Sequence, residues 1–598
     1  MLTRRVSLFF VAATAAAACA MSPGNGGNSG SGSGSGSGGN SNGNGGGTSG
    51  SNSSTGSGST SGGSGSNGGS NSGTSGSASN NSGSSSGGSG TSSSSSGSSA
   101  SGGTIAGETL PGPTFVTSTA SSFFQTGTMS TVTSGTATLT VNDGTAYQTF
   151  NGFGGAFNEK GWSMLEMLSA SDRSKAMNLL FDWTNGAHFV FGRIPVGASD
   201  YALERYTEDD NNGQTDYNLT NFSIARDGMY LIPYVQAALA INPNIDLWAS
   251  PWTPPAWMKV GGNPTGTMND GFPDDGGNMS TSTQVLTTYA MYEAKFVQQY
   301  AAQGINIAVM MPQNEPNYAQ TYPSCLWTAS LYDQFVSQYL GPTFSSQNLN
   351  TQIYLGTMSC NSGCGGDDNT NYTGSDAMIV STVTADSTAM KYIKGFSFQW
   401  NELPDVANVN KFNLPIWQTE HRAGNVPFGG ETTIVNVGSA PVDITFDSTA
   451  APNNWDYALE SFGLIGQWLT AGTNQVGVTS YSAWNMVLDT VGKSLDPDRN
   501  WPQNALLTVD TSTSPATLNI TPAYYAFRHF SQFIAAGATR VGTSGSTSLV
   551  SYAFKNPDGS HAVIMYNGNS TSVSTIASVG GKLIQFTVPA NAFATLKT

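Results

Sequence analysis

Eight short apolar runs recur along the middle of this chain: Gly152–Phe157, Phe189–Gly197, Ile245–Trp252, Ile305–Met311, Gln352–Thr357, Gly395–Trp400, Pro415–Thr419 and Gly477–Trp484. Most are separated by stretches with helical patterning: Ser169–Trp183, Ser223–Ala240, Ser282–Gln303, Ala329–Leu340, Ser375–Thr388 and Trp455–Ala471. Ser169 and Ser223 stand where helix N-caps belong, and Asp172 adds first-turn acidity. Continuous apolar strands alternating with helices need a parallel sheet that is covered on its outer face. Eight such units predict an α/β fold, a (β/α)8 TIM barrel with inserted loops, over residues 151–522.

The flanks behave differently. Residues 21–104 are almost entirely Gly, Ser, Asn and Thr, and most of the excess among the chain's 74 glycines lies there. Such a stretch buries too little apolar surface to fold and is expected to act as a flexible linker. Ahead of it, Arg4 and Arg5 precede a short, mostly apolar run, Val6 to Ala18, so residues 1–20 read as an export signal that is too short to span a bilayer. Two processing routes stay open. Cys19 after Ala16-Ala17-Ala18 fits a bacterial lipoprotein site and would tether the protein to a membrane by a lipid; cleavage after Ala18-Cys19-Ala20 would release it. The expected location is therefore a bacterial cell surface or the medium.

Beyond the barrel, residues 523–598 begin with an aromatic-rich helix, Tyr524 to Ile534, and continue as short strands with a turn at Asn556-Pro557-Asp558-Gly559. They predict a small all-β sandwich domain that also takes in a strand segment at 131–150. The net charge is −16, and no Lys/Arg cluster follows the first few residues, which excludes a nucleic-acid footprint. Of the four cysteines, Cys360 and Cys364 could close a small loop and Cys325 would stay free; a Cys-x3-Cys pair without a nearby His is a poor zinc site.

In a barrel, chemistry gathers where strands end at the C-terminal face. The fourth apolar run leads into Pro312-Gln313-Asn314-Glu315, and the seventh ends at Thr419-Glu420. The other ends carry Arg193 and Asp200, Trp252, Gln399-Trp400-Asn401, and Trp484-Asn485. Trp offers a flat apolar face for a sugar ring, and Asn and Asp hydrogen-bond hydroxyls. Two carboxylates, Glu315 and Glu420, at opposed strand ends suit glycosidic-bond hydrolysis. The Gly-rich loops and Lys/Arg that a phosphate ligand needs are sparse.

These stretches, in this order, resemble glycoside hydrolase family 30 of clan A. The matching residues are Gly152 to Phe157, Arg193-Ile194-Pro195, Ser199-Asp200-Tyr201, Leu219 to Ser223, Ser250 to Lys259, Gln313 to Pro316, Tyr322 to Leu326, Thr419-Glu420 and Trp484-Asn485. Ser199-Asp200 and the Leu-Thr-Asn-Phe-Ser stretch resemble the glucosylceramidase and endo-β-1,6-glucanase branch. The resemblance implies Glu315 as general acid/base and Glu420 as nucleophile. It implies Asn314, Asp200, Trp252 and Trp484 as sugar-binding residues and Arg193 as support for the nucleophile. It implies no metal or organic cofactor.

Two strand ends depart from the pattern. Gln399-Trp400-Asn401 stands where glucosylceramidase-like members carry His-x-Tyr, and His421-Arg422 follows the nucleophile position. His421 is expected to hydrogen-bond behind the site. The expected activity is retaining hydrolysis of β-glucosidic bonds, in β-1,6-glucan or a glucosylceramide-like glycolipid. The alternatives are another β-linked glycan, such as xylan or galactan, or a non-catalytic carbohydrate-binding barrel.

Overall fold

A computed structural model describes residues 112–260, 274–359, 376–400, 402–421, 432–438, 440–445, 454–496 and 502–598. The export signal, the linker, Cys19, Cys360, Cys364, Asn401 and Arg422 lie outside the described residues. Eight parallel strands close into a barrel: β1 (Gly152–Ala156), β2 (Phe191–Val196), β3 (Asp246–Pro251), β4 (Ile307–Met310), β5 (Gln352–Met358), β6 (Ile393–Gln399), β7 (Ile416–Glu420) and β8 (Ser480–Asn485). Each arises from one of the eight apolar runs. Their near-continuous burial, inside the barrel and beneath the helices, explains why apolar residues stand on both faces of most of them, while β6 and β8 also bury serines at alternate positions.

The barrel interior is filled by side chains. Phe191, Trp248, Tyr354 and Trp417 pack in one cluster, with the Trp417 ring centroid 4.6 Å from that of Tyr354 and 5.0 Å from that of Phe191. Strand β1 carries three glycines where its neighbours come close: a Cβ on Gly154 would lie 2.2 Å from the Phe191 carbonyl oxygen.

Most helices form where their patterning predicts. Ser169 caps Ala170–Phe181 by accepting from the Asp172 N–H at 3.1 Å. Ser223 does not cap a helix. The helix expected from there begins only at Leu231 and runs to Leu239, because Pro233 is tolerated in a first turn and not in a helix interior. Ser223 instead accepts from the Ala225 N–H in a local turn.

A ten-stranded sheet lies beside the barrel in the order Ser122–Thr126, Thr114–Thr119, Ala592–Lys597, His561–Asn567, Val550–Lys555, Ala538–Gly545, Leu139–Phe150, Val573–Val579, Lys582–Val588, Met129–Val132. Phe115 and Phe586, near opposite ends of that order, have ring centroids 4.9 Å apart, so the sheet folds over a core of its own as a sandwich. Its N-terminal strands begin at Thr114, ahead of the 131–150 segment that the sequence marks. The helix Pro522–Ser531 packs Phe527 and Phe530 against Phe153 of β1. Phe530 also meets Phe462 on the helix Trp455–Thr470, whose ring stacks on Phe593 of the sheet at 4.7 Å. Barrel and sheet thus share one aromatic seam.

The fully buried Phe593 stacks across that seam. Phe593→Ala is expected to cost about 3–5 kcal/mol, and chemical denaturation followed by near-UV circular dichroism should show barrel and sheet melting in one transition. Two separated transitions would show that the seam does not couple them.

Candidate active site

Residues of β3, β7 and β8 and of the loop after β4 converge on one buried charge, Arg193 of β2, which has no solvent-exposed side-chain surface. Its Nη1 donates to Glu420 Oε2 at 2.6 Å, and Nη2 donates to Asn314 Oδ1 at 2.6 Å. Nη2 and Nε also reach Ser250 Oγ at 3.0 and 3.2 Å. The indoles of Trp252, Trp248 and Trp484 surround the guanidinium, with centroids 4.2, 5.0 and 5.2 Å from its carbon. A buried cation needs this many partners, because its lost hydration must be replaced.

Asn314 and Glu315 follow β4 in a loop held between neighbouring strand ends. Asn314 N donates to the Pro251 carbonyl at 2.8 Å and Glu315 N to the Thr357 carbonyl at 3.0 Å. Thr357 Oγ1 donates to Asn314 Oδ1 at 2.9 Å. Glu315 adopts φ +46° and Trp400 φ +50°, a left-handed backbone that costs each on the order of 1–3 kcal/mol. The turn at Trp400 accompanies the approach of its indole to the site, where Nε1 donates to Glu420 Oε1 at 2.8 Å.

Gln399 joins the two glutamates. Its Nε2 lies 3.3 Å from Glu315 Oε1 and 3.3 Å from Glu420 Oε2, so these oxygens are separated by no more than twice that distance. The Tyr322 hydroxyl lies 3.5 Å from Glu315 Oε2.

The surroundings treat the two carboxyls unequally. Burial, then the charges of Glu420 and Asp200, push Glu315 up to about 8, opposed by the Gln399 amide. Burial also pushes the Glu420 carboxyl up, while Arg193 pulls it down, Asp200 pushes it up and the Trp400 indole pulls it down. Glu420 has a permanent cation at 2.6 Å, whereas the side-chain donors placed against Glu315 are neutral. Both carboxyls are raised, and the permanent cation favours ionisation of Glu420 over that of Glu315.

Asp200 follows β2 in a loop anchored beneath the site. Glu208 Oε1 accepts from Gly197 N at 2.7 Å, and Asp227 accepts from the hydroxyls of Tyr300 at 2.6 Å and Tyr206 at 2.9 Å. Trp252 and Trp484 stack on each other at 5.4 Å as a nearly closed wall, 1% and 2% exposed. His421 points away from the glutamates; its Nδ1 meets the Tyr481 hydroxyl and its Nε2 lies 3.2 Å from Ser461 Oγ. Cys325 is a buried free thiol. Among the described residues, no group of three or more His, Cys, Asp or Glu side chains is placed to hold a metal ion.

The seven site residues marked by the sequence, Arg193, Asp200, Trp252, Asn314, Glu315, Glu420 and Trp484, fall in this one neighbourhood. Sequence reasoning did not assign roles to Gln399, Trp400, Ser250, Thr357 or the Tyr322 hydroxyl. Their positions at strand ends were the available signal.

The model of the Glycosyl hydrolase family 30 TIM-barrel domain matches residues 150–534, and that of the family's beta sandwich domain matches residues 537–596. The chain belongs to glycoside hydrolase family 30. As a family 30 protein it is a β-glycoside hydrolase. It is 27% identical over 473 residues to an endo-1,6-beta-D-glucanase of Aspergillus fumigatus, covering 74% of this chain and 84% of that one. It is also 27% identical over 453 residues to the lysosomal acid glucosylceramidase of Mus musculus, covering 73% of this chain and 78% of that one. A solved endo-β1,6-glucanase superposes with a TM-score of 0.64 at 24% identity, over 81% of this chain and 98% of that one, and so shares the fold.

Replacing Arg193 by Leu leaves Glu420 without its cation. With Glu420 as the nucleophile that the family resemblance implies, the acid limb of the kcat/KM pH profile should move to higher pH, and activity should fall at least roughly 100-fold. An unmoved limb would show that Arg193 does not set the charge on Glu420. Stability should depend on pH as well. Glu208, pushed up to about 8, and Asp227, to about 7, both chiefly by burial, bind protons in the folded state that the unfolded chain releases. Because these folded-state values are raised, the native state is favoured at mildly acidic pH and loses stability as pH rises from about 5 to about 8, which thermal melts across that window would read.

Proposed function

We propose that this enzyme hydrolyses β-glucosidic bonds with retention of configuration, through a covalent intermediate on Glu420. The observation that carries this reading is the shared Gln399 amide, which holds the two carboxylates within twice 3.3 Å of each other. Carboxyl pairs in retaining glycosidases lie about 5–5.5 Å apart, and those in inverting enzymes about 6.5–9.5 Å. The bound, taken between one oxygen of each carboxyl, accommodates the retaining spacing and leaves little room for the wide inverting ones.

In the first half-reaction, Glu315 delivers its proton to the glycosidic oxygen as that oxygen leaves the anomeric carbon. A Glu420 oxygen bonds to the same carbon from the other face. In the second, the Glu315 carboxylate takes a proton from water, the water oxygen bonds to the anomeric carbon, and the bond to Glu420 breaks with its electrons returning to the carboxylate. Arg193 and Trp400 hold Glu420 ionised before attack and stabilise it again as it leaves. Asn314, Asp200, Trp252 and Trp484 bind the sugar.

The β-1,6-glucanase and glucosylceramidase relatives, together with the sugar-binding character of the strand ends, support β-1,6-glucan or a glucosylceramide-like glycolipid as the substrate. Export is part of the reading, with the Gly/Ser-rich segment as a spacer and Cys19 as the lipid-bearing residue of a surface-tethered form. Mass spectrometry of the mature N-terminus tests that part separately.

The mechanism has a direct test. Incubation with a 2-deoxy-2-fluoro-β-glucosyl fluoride should leave a stable adduct on the peptide containing Glu420. Glu315→Ala and Glu420→Ala should each lower hydrolysis of β-1,6-glucan by roughly 1,000-fold or more. Hydrolysis unchanged in Glu420→Ala would sink the mechanism. Activity confined to xylan or galactan on a panel of β-linked glycans would leave the mechanism standing and replace the sugar. In the wild type, kcat/KM should decline as pH rises through about 8, where Glu315 loses the proton it must donate.

A further inference from the structure

Gln399 is fully buried at the end of β6, and its amide is oriented by Thr419, whose Oγ1 lies 3.2 Å from Gln399 Oε1 and donates to it. That contact turns the NH2 group toward the site. There it faces three acceptors at nearly equal range: Glu315 Oε1 at 3.3 Å, Glu420 Oε2 at 3.3 Å and Asn314 Oδ1 at 3.4 Å. An amide has two N–H groups to give. Asn314 Oδ1 already accepts from Arg193 at 2.6 Å and from Thr357 at 2.9 Å, which leaves the two N–H groups for the carboxylates.

The other donors are divided. Arg193 and Trp400 donate to Glu420, and Tyr322 reaches Glu315. Gln399 alone among these contacts touches both glutamates. The proposed reaction needs such a group, because the negative charge changes place within the cycle. It sits on Glu420 before attack. Once Glu420 is esterified, the charge sits on Glu315, which must then act as a base.

We propose that Gln399 is a non-titrating donor shared by the two catalytic carboxylates, following the negative charge from Glu420 in glycosylation to Glu315 in deglycosylation. The inference rests on the roles proposed above for Glu315 and Glu420. The terminal torsion of a glutamine is broad, so a small swing strengthens one contact at the expense of the other. An amide neither gains nor loses a proton in the working range. It therefore stabilises each carboxylate in turn without competing for the proton they exchange with substrate and water.

The test separates the half-reactions with aryl β-glucosides. A poor leaving group makes glycosylation limiting; a good one makes deglycosylation limiting and gives a pre-steady-state burst. In Gln399→Leu, both rate constants should fall by roughly 10- to 100-fold, the range of a lost hydrogen bond to a charged group. The alkaline limb of kcat/KM should move to higher pH, because the ionised form of Glu315 loses a donor. In Gln399→His, a titrating donor at the same place should add a new pH dependence between about 5 and 8 to the deglycosylation rate. Gln399→Glu keeps the shape and guards against a Leu variant that does not fold; it should lose at least as much in both steps.

A fall in one rate constant alone would overturn the sharing, since Gln399 would then serve one carboxylate. Wild-type rates in Gln399→Glu, or an unmoved alkaline limb in Gln399→Leu, would overturn it too. Failure of the underlying roles is distinguishable, because the wild-type enzyme would then form no adduct on Glu420 with the fluoro-glucoside.

Discussion

A guanidinium with no access to water needs compensation from every side, and Arg193 obtains it from four other barrel strands and the loops that follow them. Glu420 supplies the opposite charge, Ser250 and Asn314 supply oxygens, and Trp248, Trp252 and Trp484 supply aromatic faces. Taking a cation out of water costs several kcal/mol even after relaxation, and the cost is offset only when the geometry is good. The same contacts that keep the cation buried therefore hold the site in shape. They also decide the division of labour. The cation beside Glu420 favours its ionised form, and Glu315, one loop away, has no cation to do the same, which is the asymmetry the proposed mechanism uses.

The scaffold makes such convergence possible. In a closed barrel the strand ends lie on a ring, so residues more than two hundred positions apart in sequence, such as Arg193 and Glu420, meet within 2.6 Å. Loop anchors extend this order outward. Arg205 pairs with Asp275 and donates to the Thr321 carbonyl at 2.8 Å, next to Tyr322, whose hydroxyl reaches Glu315. The sheet outside the barrel is bound to it through a continuous aromatic seam.

The eight barrel strands were legible because each is buried along nearly its whole length and leaves a largely apolar run in the sequence. The expected helix from Ser223 was not formed as read, since Pro233 carries more weight than a plausible cap residue eight positions before it begins. The strands between Thr114 and Val132 escaped notice for another reason. They are short and rich in Thr and Ser, and they adjoin a low-complexity stretch that dilutes any pattern. Two further sheet strands, Ala538–Gly545 and Val573–Val579, carry polar residues on the outer face and little apolar contrast.

The sequence by itself determined the alternation of strands and helices, the two glutamates at strand ends, the family, and the surrounding set of Trp, Asn and Arg. These follow from local burial and residue chemistry, which any reading along the chain can see. The tertiary structure alone decided which groups touch. It turned Gln399 toward both glutamates, brought the Trp400 indole onto Glu420, directed His421 away from them, and closed Trp252 and Trp484 into a wall behind Arg193. Side-chain direction at a strand end depends on the register of neighbouring strands and on one or two backbone angles, such as the positive φ at Glu315 and Trp400, and no spacing in the chain encodes those.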